Sequence, residues 1–184
     1  MIVQIRGTHG SGKTTAVKRI MESYEVKKTH YLSGRGRPIG YALSDVKRDK
    51  ELFVPGSYES PTGGCDTIPK IEQIYEIIKR QHDQGFNILY EGILAQHSTP
   101  RILALRPRPL HVIVLDTPIE MCIAAVQQRR DERGETKPLN PENIIREAKS
   151  VLSAARRLKD AGVQVTTCTR QHAIELATEL LYRD

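Results

Sequence analysis

Short apolar runs alternate with longer amphipathic segments along most of the chain. Five of these runs have the length and composition of buried strands, at about 2–6, 29–33, 87–91, 111–116 and 163–168. The segments between the runs are long enough for the crossover connections that parallel strands need. The pattern therefore predicts an α/β protein built on a parallel sheet.

Apolar residues at helical spacing mark the segments that cover this sheet. Helices are predicted at about 14–24, 70–84, 118–130, 141–161 and 171–182. Asn140 has the position of an N-cap for the fourth helix, and Gly162 has the position of its stop.

A phosphate-binding loop connects the first predicted strand to the first predicted helix. Residues 7–14, Gly-Thr-His-Gly-Ser-Gly-Lys-Thr, match the motif G-x-x-x-x-G-K-[ST] at every defined position. In this motif the glycines let backbone N–H groups point at the β-phosphate, Lys13 bridges the β- and γ-phosphates, and Thr14 ligates Mg²⁺. The motif predicts that the chain binds a nucleoside triphosphate.

Composition sets the scale of the molecule and leaves its partners open. The chain has 184 residues, enough for one domain with a sizeable core and too few for a second. Lys and Arg number 28 against 22 Asp and Glu, which gives a formal charge of +6. This charge favours polyanionic partners, but nucleotide phosphates alone would explain it, so charge does not separate a nucleotide from a nucleic acid.

Cysteine spacing and hydropathy bear on the compartment. Cys65, Cys122 and Cys168 are far apart and odd in number, which indicates neither a disulfide framework nor a zinc site. The N-terminus has no leader pattern, and no apolar run approaches membrane-spanning length. We expect a soluble protein of the reducing cytoplasm with no membrane partner.

Stretch 34–69 is irregular and too long for a simple connection. Long structured insertions in compact domains usually carry function, and ligands of open α/β sheets bind beyond the carboxyl ends of the strands. Since 34–69 follows the second predicted strand, we expect it to hold the phosphoryl acceptor. A hairpin without a functional role is the alternative.

Carboxylates at the strand ends are the candidate catalytic and metal-binding groups. Glu91 closes a predicted strand beside the loop, where it can hold a Mg²⁺ water or take a proton from an attacking hydroxyl. Asp116, at the end of the next strand, ranks second because it also suits a helix cap. Within 34–69, Asp66 is the candidate that orients or deprotonates the acceptor, with an N-cap as the alternative, and Asp45 is a weaker candidate.

Three arginines belong to a predicted lid at about 129–141. Arg129, Arg130 and Arg133 lie where a mobile segment would close over the triphosphate and neutralise charge that develops during transfer, although arginines at a helix C-terminus also suit the helix dipole. The histidines show no metal-ligand spacing and are interpreted as packing or surface residues. The candidate nucleotide-binding residues are Gly7, Thr8, His9, Gly10, Ser11, Gly12, Lys13, Thr14, Thr15 and Arg129.

The loop, the strand ending in Glu91, the Arg129-Arg130-x-x-Arg133 segment and the strand at 163–168 together resemble the nucleoside and nucleotide kinases that carry a phosphate-binding loop. This resemblance implies a five-stranded parallel sheet in the order 2-3-1-4-5 with helices on both faces. It also implies transfer of the γ-phosphoryl group of ATP, with Mg²⁺, to a hydroxyl or a phosphate. Glu91-Gly92-Ile93 replaces the Asp-Arg-Tyr or Asp-Arg-Ser of many thymidylate and deoxynucleoside kinases, so those enzymes match less well.

Gly56-Ser57-Tyr58, followed by the run from Pro61 to Ile68, is similar to bacteriophage kinases that phosphorylate 5-hydroxymethyluracil within DNA. That resemblance implies DNA containing a hydroxymethylated pyrimidine as the partner, and the host cytoplasm as the compartment. A base in duplex DNA must be extruded into a pocket with stacking surfaces. Tyr41, Phe53 and Tyr58 are candidates for that role, and core packing is the alternative.

Two other functions remain open at this point. One is a kinase for a free nucleoside, nucleotide or other small metabolite. The other is a nucleotide-dependent switch or ATPase without an acceptor. The sequence leaves open the oligomeric state and the choice of carboxylate that acts as the base.

Overall fold

The computed structural model describes residues 1–31, 36–46, 50–60 and 63–182, which form one seven-stranded sheet flanked by helices. The strands are β1 (Ile2–Arg6), β2 (Val26–Tyr31), β3 (Pro38–Ser44), β4 (Leu52–Pro55), β5 (Asn87–Glu91), β6 (Leu110–Leu115) and β7 (Gln164–Cys168). Their order across the sheet is β2-β3-β4-β5-β1-β6-β7.

The helices follow the predicted apolar spacing, with two short additions. They are α1 (Lys13–Met21), α2 (Ile71–Asp83), α3 (Ile93–Gln96), α4 (Thr99–Leu103), α5 (Ile119–Glu132), α6 (Pro141–Asp160) and α7 (Arg170–Tyr182). Helices α3 and α4 were not among the predicted helices, because they are too short to show a periodic apolar face. The predicted cap of α6 is confirmed, because the Asn140 side chain accepts a hydrogen bond of 3.0 Å from the Glu142 backbone N–H.

Five strands of the sheet are parallel: β4, β5, β1, β6 and β7 lie side by side in that order. Numbered along the chain among themselves, they follow the expected order 2-3-1-4-5. The prediction was wrong about which segment is the second parallel strand, because that place belongs to β4 and not to 29–33. Residues 26–31 instead form the outer strand β2, which pairs antiparallel with β3, and residues 32–33 lie outside the described residues.

Much of stretch 34–69 is therefore sheet, contrary to the expectation of an irregular insertion. Strand β3 pairs antiparallel with both β2 and β4 and extends the parallel core at one edge. Gly40 weakens its strand pattern, yet this glycine is required because a Cβ there would lie 2.5 Å from Cζ of Phe53. Strand β4 has only four residues, too few for alternation to show. Residues 34–35, 47–49 and 61–62 of the stretch lie outside the described residues.

The core consists of two apolar clusters, one on each face of the sheet. Side chains of α1 and α7 cover one face, and side chains of α2, α4 and α6 cover the other. This arrangement leaves the carboxyl ends of the parallel strands for the phosphate-binding loop, and it confirms helices on both faces.

Two expectations drawn from composition can be compared with the structure. All three cysteines are free, and Cys65 and Cys122 are buried. None of the described helices combines the length and the apolar character needed to cross a bilayer.

Candidate active site

The phosphate-binding loop, residues 7–14, leaves the end of β1 and enters α1. Gly10 and Gly12 have φ angles of 80° and 91°, a region that favours glycine. Crowding adds to this constraint, because a Cβ on Gly10 would lie 2.2 Å from the Cys122 carbonyl oxygen and one on Gly12 would lie 2.8 Å from Cδ of Arg170. The loop is thus held between α5 and α7, and its backbone tolerates only glycine at these two positions.

Lys13 lies folded across the loop that precedes it. Its Nζ donates hydrogen bonds of 2.8 Å to the Gly7 carbonyl and 3.0 Å to the Thr8 carbonyl. Burial lowers the pKa of the Lys13 ammonium below its ordinary value, and nearby carboxylates, Glu91 foremost, oppose that shift. The ammonium is therefore already positioned at the loop. An anionic ligand there would favour the charged form of Lys13, which burial disfavours.

Glu91, the last residue of β5, faces the first turn of α1. Its Oε1 accepts a hydrogen bond of 2.9 Å from the Thr14 hydroxyl, and the residue is only 2% exposed. Burial raises the pKa of Glu91 to about 7, an effect that Asp66 strengthens and that Lys13 and the Thr14 hydrogen bond oppose. A carboxyl group with this pKa can both accept and release a proton near neutral pH.

The backbone that follows β4 packs directly on this carboxylate. Ser57 and Gly64 form a bridge in which the Gly64 N–H donates to the Ser57 carbonyl at 2.9 Å. Gly64 has a φ of 83°, and a Cβ there would lie 2.3 Å from Oε1 of Glu91. The segment expected to hold the acceptor therefore reaches the end of β5 without an intervening side chain.

Asp66 caps the start of α3 and not the start of α2, the helix that follows it in the chain. Its two carboxylate oxygens accept hydrogen bonds of 2.8 and 3.0 Å from the backbone N–H groups of Ile93 and Leu94, which open α3. Thr67 does not cap α2 either, since its hydroxyl accepts from the Ser57 N–H and donates to the Gly64 carbonyl. Asp66 therefore does act as a cap, but for a helix that lies later in the chain. Its hydrogen bonds connect the segment after β4 to the segment after Glu91.

The three predicted lid arginines do not all reach the site. Arg129 and Arg133 line the cleft beside the loop. Contrary to our expectation, Arg130 is not among the residues that line the cleft. Its guanidinium pairs with Glu135 at 2.9 Å and donates to the carbonyl of Lys137. Arg130 therefore holds the turn that follows α5, while its neighbours face the cleft.

Sequence analysis missed two residues that contact the first half of the loop. Oε2 of Glu147, on α6, accepts hydrogen bonds from the Thr8 hydroxyl at 2.7 Å and the His9 backbone N–H at 2.9 Å, and lies 2.5 Å from Nδ1 of the His9 ring. Although burial raises it, the pKa of Glu147 is lowered to about 2 by its hydrogen bonds to His9 and Thr8. Gln96 accepts from the Gly7 N–H at 3.2 Å.

A signal for Glu147 is present in the sequence. Glu147 lies three residues after Ile144 and four before Val151, so a carboxylate interrupts the apolar face of α6. A charged residue at that spacing indicates a buried polar partner. The sequence near Glu147 does not show which residue that partner is. Gln96 lies on the unpredicted helix α3 and carries no comparable signal.

These elements enclose a cleft of about 750 Å³ at the carboxyl end of the sheet. From the loop and the helices after it, the cleft is lined by His9, Gly10, Gly12, Lys13, Thr14, Thr15, Arg129, Arg133 and Arg170. From the segments next to β3, β4 and β5, it is lined by Arg37, Ser60, Gly63, Asp66, Thr67 and Ile93. A second cavity of about 730 Å³ runs along α2 and contains no loop residue.

Several sequence candidates lie elsewhere. Tyr41, Phe53 and Tyr58 are buried in the core, which matches the core-packing alternative and removes them as stacking surfaces for a base. Asp45 follows β3, which runs antiparallel to β4. It therefore lies at the amino ends of the parallel strands, away from the loop. Asp116 follows β6 at the correct edge but does not line the cleft.

Metal binding at this cleft would need ligands beyond the protein. Among the described residues, no group of three or more His, Cys, Asp or Glu side chains is arranged to hold a metal ion. The adjacent oxygens of Thr14 and Glu91 suit Mg²⁺, which usually keeps several waters and takes its other ligands from substrate phosphates.

The relatives of this chain, taken with its phosphate-binding loop, show the class of this protein: it is a kinase. A chain 36% identical over 183 residues is the 5-hmdU DNA kinase of Pseudomonas phage PaMx11, and the alignment covers 98% of this chain and 96% of that protein. This chain belongs to the family of phage proteins named 5-hmdU DNA kinase, which confirms the resemblance inferred from the segment after β4.

More distant relatives carry the same name. The protein of Delftia phage PhiW-14 is 29% identical over 182 residues, and that of Bacillus phage SP10 is 23% identical over 185 residues. The aligned regions span 65% and 26% of those two proteins, which are longer than this chain. No family model matches the chain.

The contact between Gly64 and Glu91 can be tested against a matched glycine. Gly64→Ala should lower the free energy of unfolding by about 2 kcal/mol more than Gly85→Ala. Both glycines have a positive φ and a Cβ on Gly85 meets nothing within 4 Å, whereas Gly64 has both the collision with the carboxylate and a ψ of −161° that is accessible almost only to glycine. Denaturant unfolding measures both values, and equal losses would show that Gly64 does not pack on Glu91.

The raised pKa of Glu91 makes stability depend on pH. Its value rises from 4.5 to about 7 on folding, so the folded state binds the proton more tightly than the unfolded state. The free energy of unfolding should therefore fall as pH rises through this window, by up to about 3 kcal/mol. Glu91→Gln cannot titrate and should lose this component. Denaturant unfolding in metal-free buffer measures both profiles, and parallel profiles would refute a buried titrating carboxyl at position 91.

Proposed function

We propose that this protein transfers the γ-phosphoryl group of ATP to the hydroxymethyl group of 5-hydroxymethyluracil in DNA, within the host cell. One observation carries the proposal: the loop lysine, the Thr14 and Glu91 pair and the backbone after β4 meet in a single cleft. The names of the relatives supply the acceptor, since the 5-hmdU DNA kinase of Pseudomonas phage PaMx11 aligns over nearly the whole chain.

The nucleotide occupies the loop end of the cleft. The backbone N–H groups of residues 7–14 and the N-terminus of α1 surround the β-phosphate, and Lys13 contacts the β- and γ-phosphates. Arg129, Arg133 and Arg170 bring further positive charge to the same end. These cations stabilise the charge that develops on the transferring group.

Thr14 and Glu91 would hold Mg²⁺ together with the nucleotide, and the ion would supply positive charge that neutralises the triphosphate during transfer. The 2.9 Å contact between the two side chains fits this assignment, since it already places two oxygens side by side at the start of α1.

Glu91 is the group that receives the proton of the acceptor hydroxyl. The backbone after β4 packs on this carboxylate and so brings the segment that follows it to the Glu91 side chain. Asp66 suits this role less well, because both of its oxygens already accept backbone N–H groups. Asp66 instead fixes the turn that follows Glu91, so it positions the base.

DNA approaches the cleft from the side on which Arg37 lies. Because β3 pairs antiparallel with β4, its first residue, Pro38, lies near the end of β4. Arg37, just before Pro38, is therefore at the carboxyl ends of the parallel strands, where the loop also lies. Arg37 is exposed and lines the cleft opposite the phosphate loop. A guanidinium at this position suits a DNA phosphate next to the extruded base.

Transfer of label from γ-labelled ATP tests the proposal. Label should appear on hydroxymethyluracil DNA and not on thymine DNA, which has no hydroxyl at that carbon. Lys13→Ala should reduce the transfer rate by about a hundredfold or more in a protein that still folds, because Lys13 acts on phosphate charge. Label on a free nucleoside alone would replace the proposal with a metabolite kinase, and ATP hydrolysis without a labelled acceptor would indicate a switch or ATPase.

The assignment of Arg37 to DNA has a matched control in Lys159. Arg37→Ala should weaken DNA binding about threefold to tenfold and reduce the salt dependence by about one counterion, without changing the KM for ATP. Lys159→Ala removes the same charge from the end of α6, which precedes β7 at the opposite sheet edge, and should change neither. Binding titrations at several salt concentrations measure both variants. Equal effects would show that Arg37 acts on DNA binding only through the net charge of the protein.

A further inference from the structure

We infer that the His9 imidazole is a phosphate-contacting group of this kinase: Glu147 holds Nδ1, and Nε2 donates to the terminal phosphate of the bound triphosphate. This inference rests on the proposed function, because it assigns a side chain within the same nucleotide site. The sequence interpretation counted His9 among the nucleotide-binding residues of the loop but gave its ring no role beyond packing or the surface.

The contact with Glu147 fixes the orientation of the ring. Oε2 of Glu147 lies 2.5 Å from Nδ1 and also accepts the backbone N–H of His9, so one carboxylate oxygen holds both the main chain and the ring. Glu147 itself is immobilised, since it accepts from the Thr8 hydroxyl and lies 3.4 Å from Nε2 of Gln96. With Nδ1 directed at α6, the opposite ring nitrogen is directed away from it.

The position of the ring matches the site of the terminal phosphate. His9 lines the cleft, and its side chain is 57% exposed, whereas that of Glu147 is 12% exposed. Nζ of Lys13, the group that reaches the β- and γ-phosphates in this motif, is hydrogen-bonded to the Gly7 and Thr8 carbonyls immediately before His9. The terminal phosphate is therefore bound next to residue 9.

The chemistry of the pair suits a phosphate donor. The contact of Nδ1 with the Glu147 carboxylate leaves Nε2 as the ring nitrogen that can meet a ligand, and in an imidazolium both ring nitrogens are donors. Nε2–H can then donate a charge-assisted hydrogen bond to a γ-phosphate oxygen, and Glu147 acts as a positioning residue without touching the nucleotide.

Two amide substitutions at His9 separate the two ring nitrogens. An asparagine amide reaches about as far as Nδ1 and can replace the contact with Glu147, whereas a glutamine amide reaches about as far as Nε2. His9→Asn should weaken binding of a non-hydrolysable ATP analogue by about tenfold and change ADP binding less than about twofold, in the presence of Mg²⁺. His9→Gln should stay within about threefold of the wild type for both nucleotides.

Glu147→Gln keeps the shape of the positioning residue and removes its charge. It should weaken binding of the triphosphate analogue selectively but by a smaller factor than His9→Asn, and the double variant should lose little more than His9→Asn alone, because both changes act on one contact. Melting temperatures of all four proteins, measured without nucleotide, serve as the control for folding.

Each other result contradicts the inference. Equal losses of ADP and analogue binding would show that His9 only shapes the loop, and wild-type binding by His9→Asn, or a loss in His9→Gln as large as that in His9→Asn, would exclude Nε2 as the donor. Nucleotide binding requires no DNA, so the acceptor is tested separately. Absence of label on hydroxymethyluracil DNA together with the expected binding pattern would overturn only the acceptor assignment, whereas a wild type that binds neither nucleotide would overturn both.

Discussion

The burial of one carboxylate governs the arrangement of the active site. Glu91 is removed from water at the end of a central strand, and a charge in that position needs nearby compensation. Lys13 and Thr14 provide it from the start of α1, and the backbone after β4 closes the remaining side at Gly64. The phosphate-binding loop and the segment after β4 are therefore joined through a single side chain.

The phosphate-binding loop is held from outside its own motif. Cys122 on α5 and Arg170 on α7 limit the space at its glycines, while Glu147 on α6 binds the residues before them. The loop is thus enclosed by three helices that follow it in the chain. Its conformation depends on the packing of the whole domain, even though its sequence motif is local.

Sequence alone predicted the parts whose physical signal is local. The loop, the strand that ends in Glu91 and the cap of α6 each depend on a few neighbouring residues, and each was located correctly. Strands β3 and β4 were missed because a four-residue strand and one interrupted by Gly40 show no alternation, and only their pairing identifies them. The partner of His9 was missed because Glu147 lies 138 residues away.

The hairpin of β2 and β3 also has a consequence for behaviour in solution. Without it, β4 would be the edge of the sheet, a short and fully buried apolar strand with unpaired backbone groups that invite pairing with another molecule. The hairpin moves the edge to β2, where Lys27 and Lys28 are exposed. Lysines on an edge strand oppose the approach of a second strand. The same extension that carries Arg37 to the cleft thereby protects the sheet against aggregation.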